Sequence, residues 1–223
     1  MAARRRRCKD AGADFVDHSQ GATTMKLTAT MMLTVDGVYQ GPGGPDEDRR
    51  GGFDRGGWTH GDAEVWAFIV SVFERADALL LGRVTWGIWE PYWPKHDDNP
   101  VGHIINLLPK YVPSTTLKDP TWHNTRVIAS DVEAAVRELK AMPGRELQVH
   151  GSGALLRWLL DRDLVDELNL EIYPVVVGDG LRLFPDRGPT HALELVASRS
   201  TPAGVLLQTY RPAGRATFET AEA

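Results

Sequence analysis

The stretch Asp77–Gly87, DALLLGRVTWG, decides how this chain is read. Its apolar run is short and bounded, the pattern of a central strand buried on both faces. Gly82 breaks the run, and Arg83 and Thr85 follow where ordinary turn residues would stand. Where a buried strand gives way to a helix at a glycine, a ligand can approach the backbone and the free N–H groups of the first turn favour negative charge. Arg83 can then fork onto phosphate oxygens and Thr85 can donate its hydroxyl. Gly82, Arg83 and Thr85 are therefore candidate anion-binding residues. They are equally compatible with a plain glycine turn, an arginine reaching into solvent and a capping threonine.

Upstream of this stretch, Asp62 is placed to cap a helix through AEVWAFIVSVFERA, whose broad apolar face suits burial on a sheet. Residues 39–61 are dense in Gly, Pro and charge and read as a long loop of the kind that often carries function. Before them KLTATMMLTVDG, Lys26–Gly37, reads as a strand ending in a tight Asp36-Gly37 turn. Downstream, Arg126–Ala129 predicts a strand. Ser130 and Glu133 form a capping box for a helix with Val132, Val136 and Leu139 on one face, and Pro143-Gly144 ends it. ELQVHG is another short strand and SGALLRWLLDRDLVDE another helix. Strand, helix, strand, helix argues for an α/β fold with a mostly parallel central sheet flanked by helices. DELNLEIYPVVVG and LELVASRSTPAGVLLQTYRP add strands on short turns, which predicts antiparallel C-terminal strands at the sheet's edge. We expect one folded domain over 25–212, a basic N-terminal extension over 1–24 without fixed structure, and a tail over 213–223.

Gly151-Ser152-Gly153 is the second strand-to-helix glycine turn. It is a candidate phosphate site and equally a close turn that only glycine permits. No Gly-Lys pair follows it, so it is not a Walker loop. As a dinucleotide fingerprint it opens with two glycines but carries Leu156 at the third position. Glu171, twenty residues on, falls within a strand instead of at its end, and we count it as coincidence. As a nucleophile elbow it has Ser152, but His150 and Ala154 stand where glycines belong. An α/β hydrolase using Ser152 stays open as an alternative.

Composition narrows the classes. The chain has 223 residues, 42% hydrophobic and 25% charged, which suits a globular domain burying roughly 70% of its unfolded surface. No apolar run approaches the length of a membrane span. The lone Cys8 excludes an intrachain disulfide framework and a thiolate metal cluster, and points to a reducing, cytoplasmic setting. Residues 1–24 hold Arg4–Arg7 and Lys9. The remaining 20 basic and 27 acidic residues leave an acidic body with no basic stripe, which argues against nucleic acid as partner. KHDDNPVGH offers His96, Asp97, Asp98 and His103, but in a proline-flanked polar loop without metal-ligand spacing, so no metal is expected. Among seven tryptophans, Trp58 and Trp89 are candidates to line the pocket of a flat aromatic substrate.

In order along the chain, TVDG, DALLLGRVTWG, VPSTTL, VHGSGALLRWLL and LVDELNLEIYPVVVGDGLRLF resemble the dihydrofolate reductase superfamily. The likeness is closer to the branch of the C-terminal reductase domain of the bifunctional riboflavin-biosynthesis deaminase-reductase, and it covers Met25 to about Pro212. It implies an NADPH-dependent reductase, usually a homodimer, acting on a small-molecule substrate with no membrane or nucleic-acid partner. Carried over by position, Gly82, Arg83 and Thr85 would hold cofactor phosphates, and Ser114 and Thr115 would lie near the adenosine 2′-phosphate. Gly151, Ser152, Gly153, Ala154 and Leu155 would form the turn under the pyrophosphate, and Asp36 and Gly37 the turn beside the nicotinamide. Folate-reducing members carry a carboxylate near the start of the helix before the Gly-Arg strand. Here Asp62 and Glu64 are nearby but out of register, which leaves Asp36 and Glu64 as catalytic candidates. Leu156 replaces the folate enzymes' aromatic residue, and one cysteine cannot supply a deaminase zinc site. The resemblance thus implies a stand-alone reductase of a pyrimidine- or pteridine-like compound in riboflavin-type chemistry. A nucleotide-binding protein without catalysis is the non-enzyme alternative.

Overall fold

A computed structural model describes residues 23–219. Eight strands form one sheet: β1 Lys26–Thr34, β2 Ala76–Leu80, β3 Lys110–Pro113, β4 Thr125–Ile128, β5 Glu146–His150, β6 Glu167–Tyr173, β7 Leu193–Ser200 and β8 Leu206–Pro212. Their order is β4-β3-β2-β5-β1-β6-β8-β7. The first six are mutually parallel, and β8 and β7 are antiparallel. The expected mixed sheet with antiparallel C-terminal strands is therefore present.

Five helices link the strands: α1 Ala63–Arg75, α2 Arg83–Trp89, α3 Pro100–Leu107, α4 Val132–Ala141 and α5 Gly153–Leu160. The strands' two-residue period divides their side chains between two apolar cores. On one face Leu27, Ala29, Leu147 and Val149 pack against Val136 and Leu139 of α4 and Leu156 and Leu159 of α5. On the other, Leu79, Leu81, Tyr173 and Leu207 meet Ile69 and Phe73 of α1 and Val101 and Ile105 of α3. Helices on both faces of parallel strands leave the strands' carboxyl ends as the open edge where a ligand can enter.

Local chemistry departs from expectation in four places. Asp62 caps α1 as foreseen, its Oδ1 accepting from the N–H groups of Glu64 and Val65. The cap of α4, however, is Asp131 and not Ser130: Asp131 takes a left-handed φ of 42° and accepts from Ala134 N–H, while Glu133 pairs with Arg137. The expected polar loop around His96–His103 runs into α3, capped by Asn99 with Pro100 in its first turn and continuing to Leu107. The helix begun at Ser152 stops at Leu160, ten residues after His150, because Asp163 turns the chain at φ 52°. Val175–Val177 leave the sheet after Tyr173.

The basic extension lies outside the described residues as far as Ala22. Thr23 already bonds to the body, its carbonyl accepting from Gly144 N–H. At the other end Ala213 and Gly214 bond to Ala192, so order continues beyond Pro212. Among the described residues no helix is long and apolar enough to cross a membrane.

Candidate active site

Because β2 and β5 are neighbours, the two glycine turns that follow them meet at the sheet's carboxyl edge. A Cβ built on Gly82 would collide with Ser152 Oγ and lie 2.5 Å from Ser152 Cβ. One on Gly151 would lie 3.4 Å from Thr85 Cγ2. A Cβ on Gly153 would lie 2.6 Å from Tyr39 Cζ, so the aromatic ring covers the first residue of α5. Ser152 itself is left-handed, φ 67° and ψ 76°, an unusual conformation for a serine. Gly82, Arg83, Thr85, Gly151, Ser152, Ala154 and Leu155 all line one cavity of about 800 Å³. Arg83 is exposed and makes no ion pair among the described residues.

The same cavity runs on beneath α1, where Asp62, Val65, Trp66 and Ile69 join Met32, Trp89, His150 and Tyr173. His150 packs its ring 4.9 Å from Phe73 and 5.3 Å from Trp89. Burial drives its pKa down to about 4, so the imidazole is neutral at ordinary pH, and its Nδ1 has no partner. Residues 39–61 form much of the remaining wall. They are folded back by Gln40, whose side-chain amide donates to the carbonyls of Asp48 and Arg50, and by Trp58, whose Nε1 donates to Gln40 O at 2.8 Å. On this wall Asp48 binds Arg50 through two side-chain hydrogen bonds. Burial alone would raise the Asp48 carboxyl, but the Arg50 contacts outweigh it and hold it below the usual range. Glu47 goes the other way: burial raises it more than the Gly43 and Gly44 N–H groups lower it.

Several sequence candidates lie elsewhere. Asp36 is not on the cavity wall. Its carboxylate accepts from Thr34 Oγ1 at 2.6 Å and from the N–H groups of Val177 and Gly178, and it pairs with Arg182. Burial raises the Asp36 carboxyl, and these bonds together bring it below its ordinary value. Gly37 bonds to Leu183, so the whole turn docks on the 175–183 segment. Glu64 points to solvent and pairs with Arg199 at 2.6 Å. Neither catalytic candidate therefore faces the cavity, because structural contacts at the strand end and helix start consume both carboxylates. Trp58 belongs to the core, edge-on to Tyr173 with centroids 5.7 Å apart, whereas Trp89 does line the cavity. Ser114 turns its hydroxyl onto the N–H groups of Thr116 and Leu117, and Thr115 is exposed; only their neighbour Pro113 reaches the wall. Among the described residues no hydrogen bond joins Ser152 to His150, so the hydrolase arrangement of nucleophile and base is not assembled.

Sequence reasoning missed Tyr39, Arg50, Tyr173 and, behind Tyr173, Glu171. The last two carried a signal: Asn169, Glu171 and Tyr173 alternate on one face of an otherwise apolar strand, which puts polar groups where a core should be.

Comparison with known proteins agrees with this fold. The uncharacterised protein YyaP of Bacillus subtilis (strain 168) is 26% identical over 190 residues, 83% of this chain and 94% of its own length. A protein of Shewanella sp. PV-4 provisionally assigned to riboflavin biosynthesis superposes with a TM-score of 0.65 at 20% identity, over 85% of this chain and 99% of that one. The diaminohydroxyphosphoribosylaminopyrimidine deaminase/5-amino-6-(5-phosphoribosylamino)uracil reductase of Thermotoga maritima gives 0.60 at 15% identity, over 85% and 57%. Enterococcus faecalis dihydrofolate reductase, complexed with NADP(H), gives 0.54 at 16%, over 85% and 98%. Residues 25–207 match the RibD C-terminal domain, and with that match spanning most of its length the chain belongs to the RibD C-terminal domain family.

Proposed function

We propose that this protein is an NADPH-dependent reductase that delivers a hydride to a C=N or C=O group of a pyrimidine- or pteridine-like small molecule. A named activity of this kind is that of the uracil-derivative reductase of T. maritima. The observation that carries the reading is the junction of the two glycine turns beside an unpaired arginine at the mouth of one large cavity. Gly82 and Gly153 let Ser152 and the Tyr39 ring pack directly onto the two turns, so that only glycine at these positions lets the turns meet.

Each residue then has a task. Arg83 and Thr85 would hold phosphate oxygens by charge and hydroxyl, and the Gly151–Leu155 turn at the head of α5 would take the pyrophosphate. Ser114 and Thr115, just past the end of β3, would serve the adenosine 2′-phosphate. NADPH supplies the hydride when bound. Trp66 and Trp89 offer flat apolar walls to a planar ring, and neutral His150 keeps the inner wall uncharged. Holding donor and acceptor together in a mostly apolar enclosure supplies much of the rate.

We further read residues 25–212 as the whole reductase unit, working in the cytoplasm as a homodimer. In support, β7 ends the sheet with Leu195 54% and Val196 48% exposed, an apolar edge that a second copy would cover.

Titration with NADPH and NADH tests the reading. We expect micromolar binding of NADPH, and a 10- to 100-fold loss in Arg83→Ala, since a charged phosphate contact contributes roughly 1.5–3 kcal/mol. Unchanged affinity in that variant would move the phosphate site elsewhere. No binding of either nucleotide would sink the reductase. NADPH oxidation with pterins and ribosylaminopyrimidines then separates an enzyme from a protein that only binds.

A further inference from the structure

Three polar side chains on the α1 face of the sheet are buried with an atom left unpartnered: His150 Nδ1, Asn169 Nδ2 and Glu171 Oε1. Strand pairing gathers them. Thr30 stands between His150 and Asn169, and Glu171 lies two residues further along β6, opposite Met32. A buried polar atom without a partner is costly, so such a group in the middle of a sheet asks for a reason. Tyr173, next on the same face, donates its hydroxyl to Glu171 Oε2 at 3.2 Å. Glu171 is fully buried and does not reach the cavity, but Tyr173 does. One buried carboxyl is thus hydrogen-bonded to the hydroxyl of a residue that lines the cavity.

Reduction of a C=N or C=O bond needs a proton as well as a hydride. The other acids on the wall are committed. Asp62 binds the N–H groups of Glu64, Val65 and Ala203, Asp48 binds Arg50, and Glu47 binds Gly43 N–H. The first two are held ionised, and neutral His150 carries no extra proton to give.

We propose that Tyr173 is the proton donor of this reduction and that Glu171 is the positioning residue that resupplies its proton. The inference rests on the reductase reading above. As hydride adds to the carbon, the π-electron pair moves to the neighbouring heteroatom, which takes the Tyr173 hydroxyl proton. Glu171 passes its own proton to the Tyr173 oxygen, and when product leaves and water enters the cavity, the Tyr173 hydroxyl hands a proton back to the carboxylate and takes one from that water. Rotation of the hydroxyl hydrogen reverses the Tyr173–Glu171 bond for this transfer. Burial raises the Glu171 carboxyl to about 8 and the Tyr173 hydroxyl well above its ordinary value, so at neutral pH the pair holds its proton on Glu171. The ionisable groups around Glu171 are Tyr173 on its own strand, His150 on β5 and Asp62 at the head of α1. Val65, Ile69 and Phe73 of α1, Met32 of β1, Leu207 of β8 and Thr201 and Val205 of the β7–β8 turn add no charge.

The test uses the full chain with Glu171→Gln, which keeps size and hydrogen bonding, and Tyr173→Phe. With NADPH and 7,8-dihydropterin as acceptor, the unaltered protein should lose rate as pH rises through about 8, where Glu171 ionises. Both variants should bind NADPH unchanged but turn over at least about 100-fold more slowly, the usual effect of a general acid, and E171Q should lack the inflection. A second readout needs no acceptor. A carboxyl whose folded pKa lies above its unfolded one contributes stability that is complete below about 4.5 and declines up to about 8. Urea midpoints of the unaltered protein should therefore fall over that range relative to E171Q, and parallel curves overturn the proposal. If the unaltered protein does not bind NADPH, the reductase reading itself falls. If it binds and reduces the pterin while both variants match its rate and pH profile, only this inference falls.

Discussion

A methyl group at Gly153 would sit 2.6 Å from Tyr39 Cζ and 2.9 Å from its Cδ1, whereas one at Gly87, exposed on α2, would meet nothing within 4 Å. The two glycines read alike in sequence and differ only in what approaches them. Gly153→Ala should displace the Tyr39 ring from the head of α5 and weaken NADPH binding by about tenfold, consistent with the roughly 1–3 kcal/mol cost of overpacking. Gly87→Ala should leave affinity unchanged and stabilise the fold by up to about 1 kcal/mol through helix propensity. Calorimetric titration and urea unfolding of the two variants check the contrast, and equal NADPH affinities would remove Tyr39 from the site. At this scale the strand-end places of Arg83, Thr85 and the 151–155 turn are legible, because a glycine breaks off the strand before each. Asp36 and Glu64 were not, since a carboxylate's role depends on which N–H groups and cations the fold brings to it. Glu171 is missed for a related reason: its sequence neighbours place it in a strand, but the burial around it depends on residues far away in sequence.

The element most poorly read was α3. His96, Asp97, Asp98 and Pro100 give the segment the composition of a loop, and the one local sign of a helix was the Asn99-Pro100 start. What holds α3 comes from elsewhere: Lys110 of β3, fully buried, donates to the carbonyls of Asn106 at 3.1 Å, Leu108 at 2.8 Å and His123 at 3.2 Å, and stands 4.5 Å over the Trp122 ring. Lys110→Met keeps most of the volume but strips three carbonyls of their donor, and should destabilise the protein by roughly 2–5 kcal/mol. Urea unfolding measures this, and a change below about 1 kcal/mol would show that α3 does not depend on the ammonium. By contrast α1 and β2 were readable from end to end, because an aspartate cap, a wide apolar face and a bounded apolar run each carry their own local signal.

For the whole molecule, the alternation of strands and helices was enough to predict a parallel sheet, but not the order β2-β5-β1 that makes two separate glycine turns into one site. Order follows from pairing between distant segments, which no short stretch records. The antiparallel strands were also foreseen, and their outer edge makes an assembly prediction: the unaltered protein should sediment at twice the chain mass, and Leu195→Asp should shift it to a monomer with its fold intact. A monomeric unaltered protein would leave the β7 edge without this role. The contact of Gly82 with Ser152 joins residues seventy positions apart, so the proposed phosphate cradle does not exist in any fragment or partly folded chain. It comes into being only when the middle of the sheet closes. If NADPH binds there as proposed, its affinity and global folding are thermodynamically linked: it would bind the complete fold alone and favour it by mass action, which would make it a reporter of folding to completion.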